Sequence, residues 1–237
     1  HLASSHIIHD VAIEGLPVTF CIDRAGLVGE DGPTHHGVFD LAYLRSIPGM
    51  TIAAPRNGDE LRRLMHTSLT LDGPIAIRYP RGRAKNKLSG TIEHVTIGKG
   101  VRIKDGNDLA ILTIGTVADD TTDAIKQAEH DTGKSIAHYD MRFVKPLDSD
   151  ILTEVARKRC PIITIEDGTV NGGMGSAVLE WLADYFNSSE REETAMPRLI
   201  RMGVPDRFIP QGTPDQLHHL CGFDAEGIYK TIKSILK

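Results

Sequence analysis

The sequence predicts an α/β fold made of two consecutive units, each with a mostly parallel sheet flanked by helices. Short apolar runs alternate with amphipathic segments along the whole chain of 237 residues. Several runs are apolar at every position, which is typical of strands buried on both faces of a parallel sheet. This length suits one large domain or two modest domains.

The first unit is predicted to contain three strands and one helix. The strands are expected at residues 17–22, 51–55 and 75–79. Asn57 and Glu60 have the spacing of a helical capping box, with Asn in place of Ser or Thr, and Asp72-Gly73 should end that segment. A free-standing domain of this type usually has more strands, so we expect the chain to begin inside a domain.

A basic stretch of small residues without periodicity, GRAKNKLSG at residues 82–90, separates the two units. We therefore expect a first domain at 1–83, a linker at 84–95 and a second domain at 96–237. In the second domain the predicted strands are residues 109–114, 135–141, 161–165 and 199–204. The predicted helices are residues 117–131, 148–158, 175–186 and a terminal helix to Leu236 that Asp224 should cap.

Composition excludes several classes of protein. The chain has 27 basic and 32 acidic residues, a net charge of −5, which argues against a nucleic acid as the main partner. A small phosphorylated ligand needs only a few local cations and stays possible. No run approaches the roughly 18 apolar residues of a membrane span, and we predict no membrane association and no signal peptide. Cys21, Cys160 and Cys221 lack pairing or metal spacing, and we interpret them as buried, reduced thiols.

Two arginines follow predicted strands directly. Arg24 comes after the first strand and Arg81 after the third. Ligands of open parallel sheets bind outside the carboxyl ends of the strands, so the two guanidinium groups meet at that edge if both strands share a sheet. Paired arginine forks suit a phosphate or a carboxylate. The alternative is that the two arginines are unrelated and solvated.

The stretch from Arg24 to Gly37 is rich in glycine, charge and histidine, and such loops at a sheet edge tend to be functional. Asp31 and His35 could present a carboxylate and an imidazole to one ligand. His35 and His36 are adjacent, but adjacent histidines rarely chelate one ion and no third ligand is spaced nearby. We therefore predict no metal here.

A second glycine cluster, Gly172 to Gly175, precedes a predicted helix. It could cradle an anion at the helix N-terminus, but it lacks a phosphate-loop pattern, and tight packing of strand against helix is the favoured interpretation. Glu166 and Asp167, just before it, could be a surface pair or part of an interface.

The run IDRAGLVGEDGPTHHGVFDLAYLRSIPGM, with AAP and GPIAIRYPRG, closely resembles the 1-deoxy-D-xylulose-5-phosphate synthases, thiamine-diphosphate enzymes of the transketolase superfamily. The stretches TIEDGTVNGGMGSAVLEWLAD and GVPDRFIPQGTPDQLHHLCGFDAEGI resemble the C-terminal domain of the same family. The resemblance implies the end of a transketolase-like pyrimidine-binding domain followed by a whole transketolase C-terminal domain.

The family resemblance also implies an activity, which is transfer of a two-carbon unit from pyruvate, after decarboxylation, to D-glyceraldehyde 3-phosphate. The product would feed isoprenoid, thiamine and pyridoxal biosynthesis. Arg24 and Arg81 stand at the positions that hold the acceptor phosphate. Asp31 and His35 stand at positions that contact the reacting centre and the acceptor, and His35 is the candidate catalytic residue. His36 has no implied role.

The chain departs from the family pattern in what it lacks. This sequence has no counterpart of the family's Gly-Asp-Gly motif or of the Asn downstream of it. It also lacks the glutamate that activates the cofactor and the aromatic residue that stacks on the cofactor. Residues 1–5 read HLASS. We expect a C-terminal fragment that is inactive alone, with thiamine diphosphate and Mg²⁺ held by residues outside it. The complete protein is expected to be a cytoplasmic bacterial homodimer. Alternatives are a section of a 2-oxoacid dehydrogenase β-subunit or another transketolase-like protein, or a non-catalytic assembly module.

Overall fold

The computed structural model describes residues 5–29, 31–84, 90, 92–188 and 195–236. The strands of these residues are β1 (Thr19–Ile22), β2 (Thr51–Ala53), β3 (Ile75–Arg78), β4 (Val101–Lys104), β5 (Leu109–Ile114), β6 (Ile136–Asp140), β7 (Phe143–Lys145), β8 (Ile162–Thr169) and β9 (Leu199–Val204). The helices are α1 (Asp40–Arg45), α2 (Gly58–Ser68), α3 (Ala118–Thr132), α4 (Ser149–Lys158), α5 (Met174–Asn187), α6 (Pro214–Cys221) and α7 (Ala225–Ile235). A π-helical turn covers Ile7–Ala12, and 3₁₀ turns cover Gly32–Thr34 and Gly115–Val117.

The strands form two mixed, mostly parallel sheets, which confirms the predicted fold class. The first has the order β1-β3-β2-β7 and the second the order β4-β6-β5-β8-β9. In the first sheet β1 and β2 both run parallel to β3, and Ile22 lies opposite Arg78. The carboxyl ends of β1 and β3 therefore meet at one edge, as the argument from Arg24 and Arg81 required.

The structure also contains four elements that the sequence analysis did not predict: β4, β7, α1 and α6. The short strand β7 lies in the second half of the chain but pairs antiparallel with β2 of the first sheet. The second half thus supplies an edge strand to the sheet of the first half. Lys145 at the end of β7 adds to this contact, because its Nζ donates to the Arg45 and Ile47 carbonyl oxygens at 3.0 and 2.6 Å.

Two predicted helix caps are present, one of them in altered form. Asn57 accepts the Glu60 N–H at 3.0 Å, but the Glu60 carboxylate accepts the N–H of Arg56 at 2.7 Å and not that of Asn57. The capping box of α2 is therefore displaced by one residue. Asp224 caps α7 as predicted, accepting the Gly227 N–H at 2.9 Å.

The largest apolar cluster of the described residues contains side chains from both halves. Buried residues of the first half, including Leu41 and Ile52, belong to the same cluster as Leu112, Tyr139 and Leu152 of the second half. Burial of apolar surface is the dominant favourable term in folding, so this shared core fixes the halves against each other. Two further clusters lie on the outer faces, one under α3, α6 and α7 and one under α2.

Part of the predicted linker, residues 85–89 and 91, lies outside the described residues, as do residues 1–4 of the divergent start. The described end of the linker packs onto α2. Val95 is buried and donates its N–H to Thr67 Oγ1 at 2.8 Å, and the rings of His94 and His66 lie 4.4 Å apart.

The prediction of three buried thiols is wrong for Cys21, which is exposed on the edge strand β1, with its Sγ 3.8 Å from Met65 Sδ of α2. Cys160 is buried and Cys221 is partly buried, and all three are unpaired. In the described part of the chain, no helix is both long and apolar enough to cross a membrane.

Arg78, at the end of β3, is a buried charge that holds several elements together. Its side chain is 4% exposed, and its Nε donates to Asp40 Oδ2 at 2.7 Å. Its Nη2 lies 3.0 Å from both the Gly37 and the Asp167 carbonyl oxygens. One guanidinium group thus contacts α1, the segment that precedes it and strand β8 of the second half.

We expect Arg78→Met to lower the free energy of unfolding by about 3–5 kcal/mol, because it leaves the Asp40 carboxylate buried without its partner. Lys126→Met is the control, since Lys126 pairs with Asp123 on the exposed face of α3 and should contribute less than about 1 kcal/mol. Urea unfolding monitored by circular dichroism measures both. Equal losses in the two variants would contradict the role given to Arg78.

Candidate functional site

The candidate site lies at the carboxyl edge of the first sheet. Arg24 follows β1 and adopts a left-handed backbone conformation with φ of 57°, which is rare for a residue other than glycine and is common at functional sites. The next residue, Ala25, donates its N–H to the Tyr79 carbonyl oxygen at 3.0 Å. This bond ties the chain after β1 to the chain after β3, so Arg24 and Arg81 both project from this edge, and both are exposed.

The segment from residue 24 to residue 37, the glycine-rich loop, is closed at its base by two backbone hydrogen bonds. Gly26 and Gly37 each donate an N–H to the other's carbonyl oxygen, at 2.8 and 2.9 Å. A side chain at Gly37 would place its Cβ only 2.2 Å from the Arg24 carbonyl oxygen. Only glycine permits this close approach, which brings the two ends of the loop together.

The glycine-rich loop docks on the second half of the chain through His36. The Nδ1 of His36 accepts the Val28 N–H at 3.3 Å, and its Nε2 lies 3.3 Å from the Pro210 carbonyl oxygen. Both contacts are satisfied when Nε2 carries the proton. His36 therefore positions the loop, while its neighbour His35 is left at the surface.

The structure brings Asp31 and Arg81 together, as residues of one face. Arg81 Nη1 lies 4.0 Å from Asp31 Oδ2, and the two side chains are 63% and 50% exposed. Exposed pairs of this length contribute little, so the guanidinium stays open to a ligand. His35 is also exposed, with its Nδ1 at 3.0 Å from Thr34 Oγ1.

Sequence reasoning missed two residues that support this loop, Asp167 and His218. Asp167 Oδ1 accepts the Leu27 N–H at 3.1 Å, and Asp167 Oδ2 lies 3.4 Å from His218 Nε2 on α6. Burial lowers the pKa of His218, but the Asp167, Asp120 and Asp215 carboxylates together more than offset this and raise the pKa overall. Of the two alternatives for Glu166 and Asp167, the structure excludes a surface pair, because β8 continues through both residues and buries them.

The glycine cluster before α5 is packed against Glu166. The Met174 and Gly175 N–H groups donate to the two Glu166 carboxylate oxygens, each at 2.8 Å. A Cβ at Gly173 would lie 2.1 Å from Glu166 Oε2. The helix N-terminus thus binds an internal carboxylate, and tight packing is confirmed. Burial raises the pKa of Glu166 to about 7, against these two hydrogen bonds.

One group of described residues has the spacing of metal ligands: His219, Asp224 and Glu226, whose ligand atoms lie within 4.8 Å of one another. Protein partners already engage these atoms. Asp224 caps α7 and pairs with His219 at 2.8 Å, while Glu226 pairs with Lys230 at 2.5 Å. We assign no metal to this group.

Two family comparisons cover most of the chain. Residues 1–86 match the family "Transketolase, pyrimidine binding domain", and residues 98–228 match "Transketolase, C-terminal domain". The chain is 56% identical over 234 residues to a 1-deoxy-D-xylulose-5-phosphate synthase of Bacteroides fragilis and 53% identical over 232 residues to one of Bacteroides thetaiotaomicron. These matches cover 97% of this chain but only 35% of each relative.

Solved structures give the same fold. A chain described as "Split gene transketolase, inactive beta4 tetramer" superposes with a TM-score of 0.85 at 28% identity, covering 99% of this chain and 72% of that one. A transketolase mutant from Pichia stipitis superposes with a TM-score of 0.72 at 19% identity, covering 95% of this chain and 31% of that one. The second likeness supports the fold alone.

We expect Gly26→Ala to destabilise the protein more than Gly49→Ala. Both glycines have a left-handed backbone, with φ of 81° and 73°, which costs an alanine about 1–2 kcal/mol. Only at Gly26 would the new Cβ meet another group, Asp167 Oδ2 at 1.8 Å, which adds about 1–3 kcal/mol of overpacking. Urea unfolding of the two variants measures the difference, and equal losses would show that Asp167 yields freely.

Proposed function

Since the chain belongs to the transketolase family and is 56% identical over 234 residues to a 1-deoxy-D-xylulose-5-phosphate synthase, we propose that it carries the acceptor-binding part of such an enzyme. On this proposal the complete enzyme joins pyruvate, with loss of carbon dioxide, to D-glyceraldehyde 3-phosphate. The product, 1-deoxy-D-xylulose 5-phosphate, would serve isoprenoid, thiamine and pyridoxal biosynthesis.

The observation that carries the proposal is the position of Arg24 and Arg81 on one sheet edge. Both guanidinium groups are exposed, and the chain segments that bear them are joined by the hydrogen bond from Ala25 to Tyr79. A phosphate dianion can accept hydrogen bonds from two arginine forks at once, and each charge-assisted bond contributes about 1.5–3 kcal/mol. We therefore propose that these two residues bind the acceptor phosphate.

We propose that Asp31 and His35 contact the remainder of the acceptor, with His35 as the catalytic residue. When a carbon–carbon bond forms at the acceptor aldehyde, the aldehyde oxygen gains negative charge and needs a proton. A histidine side chain exchanges protons near neutral pH and can supply one. The 3₁₀ turn at Gly32–Thr34 fixes the backbone next to His35, since the His35 N–H donates to the Gly32 carbonyl oxygen at 3.0 Å.

Thiamine diphosphate supplies the electron sink for decarboxylation when it is bound. The described residues at this sheet edge do not fit its diphosphate and Mg²⁺, because Mg²⁺ requires several oxygen ligands. In the described part of the glycine-rich loop Asp31 is the single carboxylate, which is fewer oxygen ligands than Mg²⁺ takes. We propose that the residues that ligate the cofactor and Mg²⁺ lie outside this chain.

We further propose that the chain alone has no turnover, and that the enzyme acts as a cytoplasmic homodimer when complete. We also propose that the chain divides into a first domain at 1–83, a linker at 84–95 and a second domain at 96–237. Neither a nucleic acid nor a membrane is a proposed partner, in keeping with the net charge of −5.

The phosphate role is tested by Arg24→Ala and Arg81→Ala in the complete enzyme. Each variant should raise the KM for glyceraldehyde 3-phosphate and lower kcat/KM about 10–150-fold, because one charged fork is lost. With glyceraldehyde, which has no phosphate, the kcat/KM of each variant should fall little below that of the unmodified enzyme. Arg157→Ala, at an exposed position on α4, is the matched control and should change neither acceptor. Equal losses with both acceptors would assign the arginines another task.

The catalytic role is tested by His35→Asn in the complete enzyme. Asparagine keeps polar contacts but cannot transfer a proton, so kcat should fall about 10²–10⁴-fold and the pH profile should lose one limb. His130→Asn is the control, since His130 lies on the exposed face of α3, outside the candidate site. A loss in His35→Asn below about tenfold, with an unchanged pH profile, would leave His35 as a binding residue only.

A further inference from the structure

The backbone of the glycine-rich loop is linked to a histidine on a distant helix by one carboxylate. Leu27 donates its N–H to Asp167 Oδ1 at 3.1 Å, and Asp167 Oδ2 faces His218 Nε2 at 3.4 Å. Asp167 lies in β8 and His218 in α6, so both come from the second half of the chain. The glycine-rich loop is therefore supported by two residues of the second half.

The linkage is enclosed and leaves little space for rearrangement. The Asp167 and His218 side chains are 12% and 18% exposed, and the His218 ring lies 4.8 Å from the Phe223 ring. On the other side Gly26 approaches so closely that its missing Cβ would lie 1.8 Å from Asp167 Oδ2. Asp167 is thus held between the loop and the histidine, with its Oδ1 fixed as the acceptor of the Leu27 N–H.

The carboxylates that raise the pKa of His218 come from three elements. Asp167 of β8, Asp120 of α3 and Asp215 of α6 itself each raise the pKa of His218, against a burial effect that lowers it. Because the carboxylates prevail, the folded protein stabilises the imidazolium, and this stabilisation is lost as the pH rises through the folded pKa. His218, the partner of Asp167, therefore loses its positive charge at a pH above 6.5, the usual pKa of histidine.

We infer that Asp167 and His218 form a positioning pair, in which the histidine orients the carboxylate that holds the backbone of the glycine-rich loop at Leu27. Protonated His218 gives Asp167 an ion-pair partner and strengthens its hold on the loop. Neutral His218 weakens this hold without breaking the bond to Leu27. The inference concerns the loop itself and stands apart from which ligand the loop receives.

The Leu27 amide reports on the pair directly in a ¹⁵N-labelled sample of the chain. Between about pH 5 and pH 9, its chemical shift should titrate with the same midpoint as the His218 imidazole, above 6.5. In His218→Gln, which keeps a hydrogen-bond donor without a titrating charge, that titration should disappear. Hydrogen exchange at Leu27 should become about fivefold faster at pH 6, because the ion pair with Asp167 is replaced by a hydrogen bond from a neutral donor.

His219→Gln is the matched control, since His219 is the neighbouring residue but is exposed and paired with Asp224. It should leave the Leu27 titration intact. Asp167→Asn provides a second test: the Leu27 titration should disappear, and the pKa of His218 should fall because its main counter-charge is gone. A Leu27 titration that survives in both His218→Gln and Asp167→Asn would overturn the inference, as would its loss in His219→Gln.

Discussion

The buried guanidinium of Arg78 is the constraint on which the arrangement of this molecule depends. A charge removed from water must be paired and hydrogen-bonded, and Arg78 meets this requirement with Asp40 and with the carbonyl oxygens of Gly37 and Asp167. Its partners come from two separate stretches of chain, residues 37–40 and the end of β8. Satisfying one charge therefore fixes the start of α1, the end of the glycine-rich loop and strand β8 relative to the first sheet.

The same constraint positions the candidate site. Arg78 holds the Gly37 carbonyl oxygen, and Gly37 closes the loop against Gly26. Arg78 also donates to the carbonyl oxygen of Asp167, and the carboxylate of Asp167 accepts the Leu27 N–H. Both ends of the loop are thus attached to one buried network, and its tip carries the exposed groups. Groups that must meet a ligand are best placed on a loop whose base is rigid.

Much of the fold could be predicted from the sequence, because runs of apolar residues mark buried parallel strands and Asn57 and Asp224 mark helix starts. β7 could not be predicted, because three residues are too few to show an alternation of apolar and polar side chains. Its pairing also depends on a strand that is distant in sequence. α6 had a signal that could have been used: Thr213 and Gln216 form a full capping box with Pro214 at the first turn. Asp167 and His218 are far apart in sequence, so only the folded chain shows that they meet.

Arg78 and Arg81 lie three residues apart in RYPRG, and the sequence alone does not distinguish their roles. The structure separates them by environment: Arg78 is 4% exposed and neutralised by Asp40, whereas the side chain of Arg81 is 63% exposed. A neutralised and buried cation adds little to the potential outside the protein, so the proposed attraction for an anion at this edge comes from Arg24 and Arg81. Arg78 instead joins α1, Gly37 and β8 to the sheet that bears those two residues. One strand end thus supplies both a buried support and part of the charge that we propose binds the ligand.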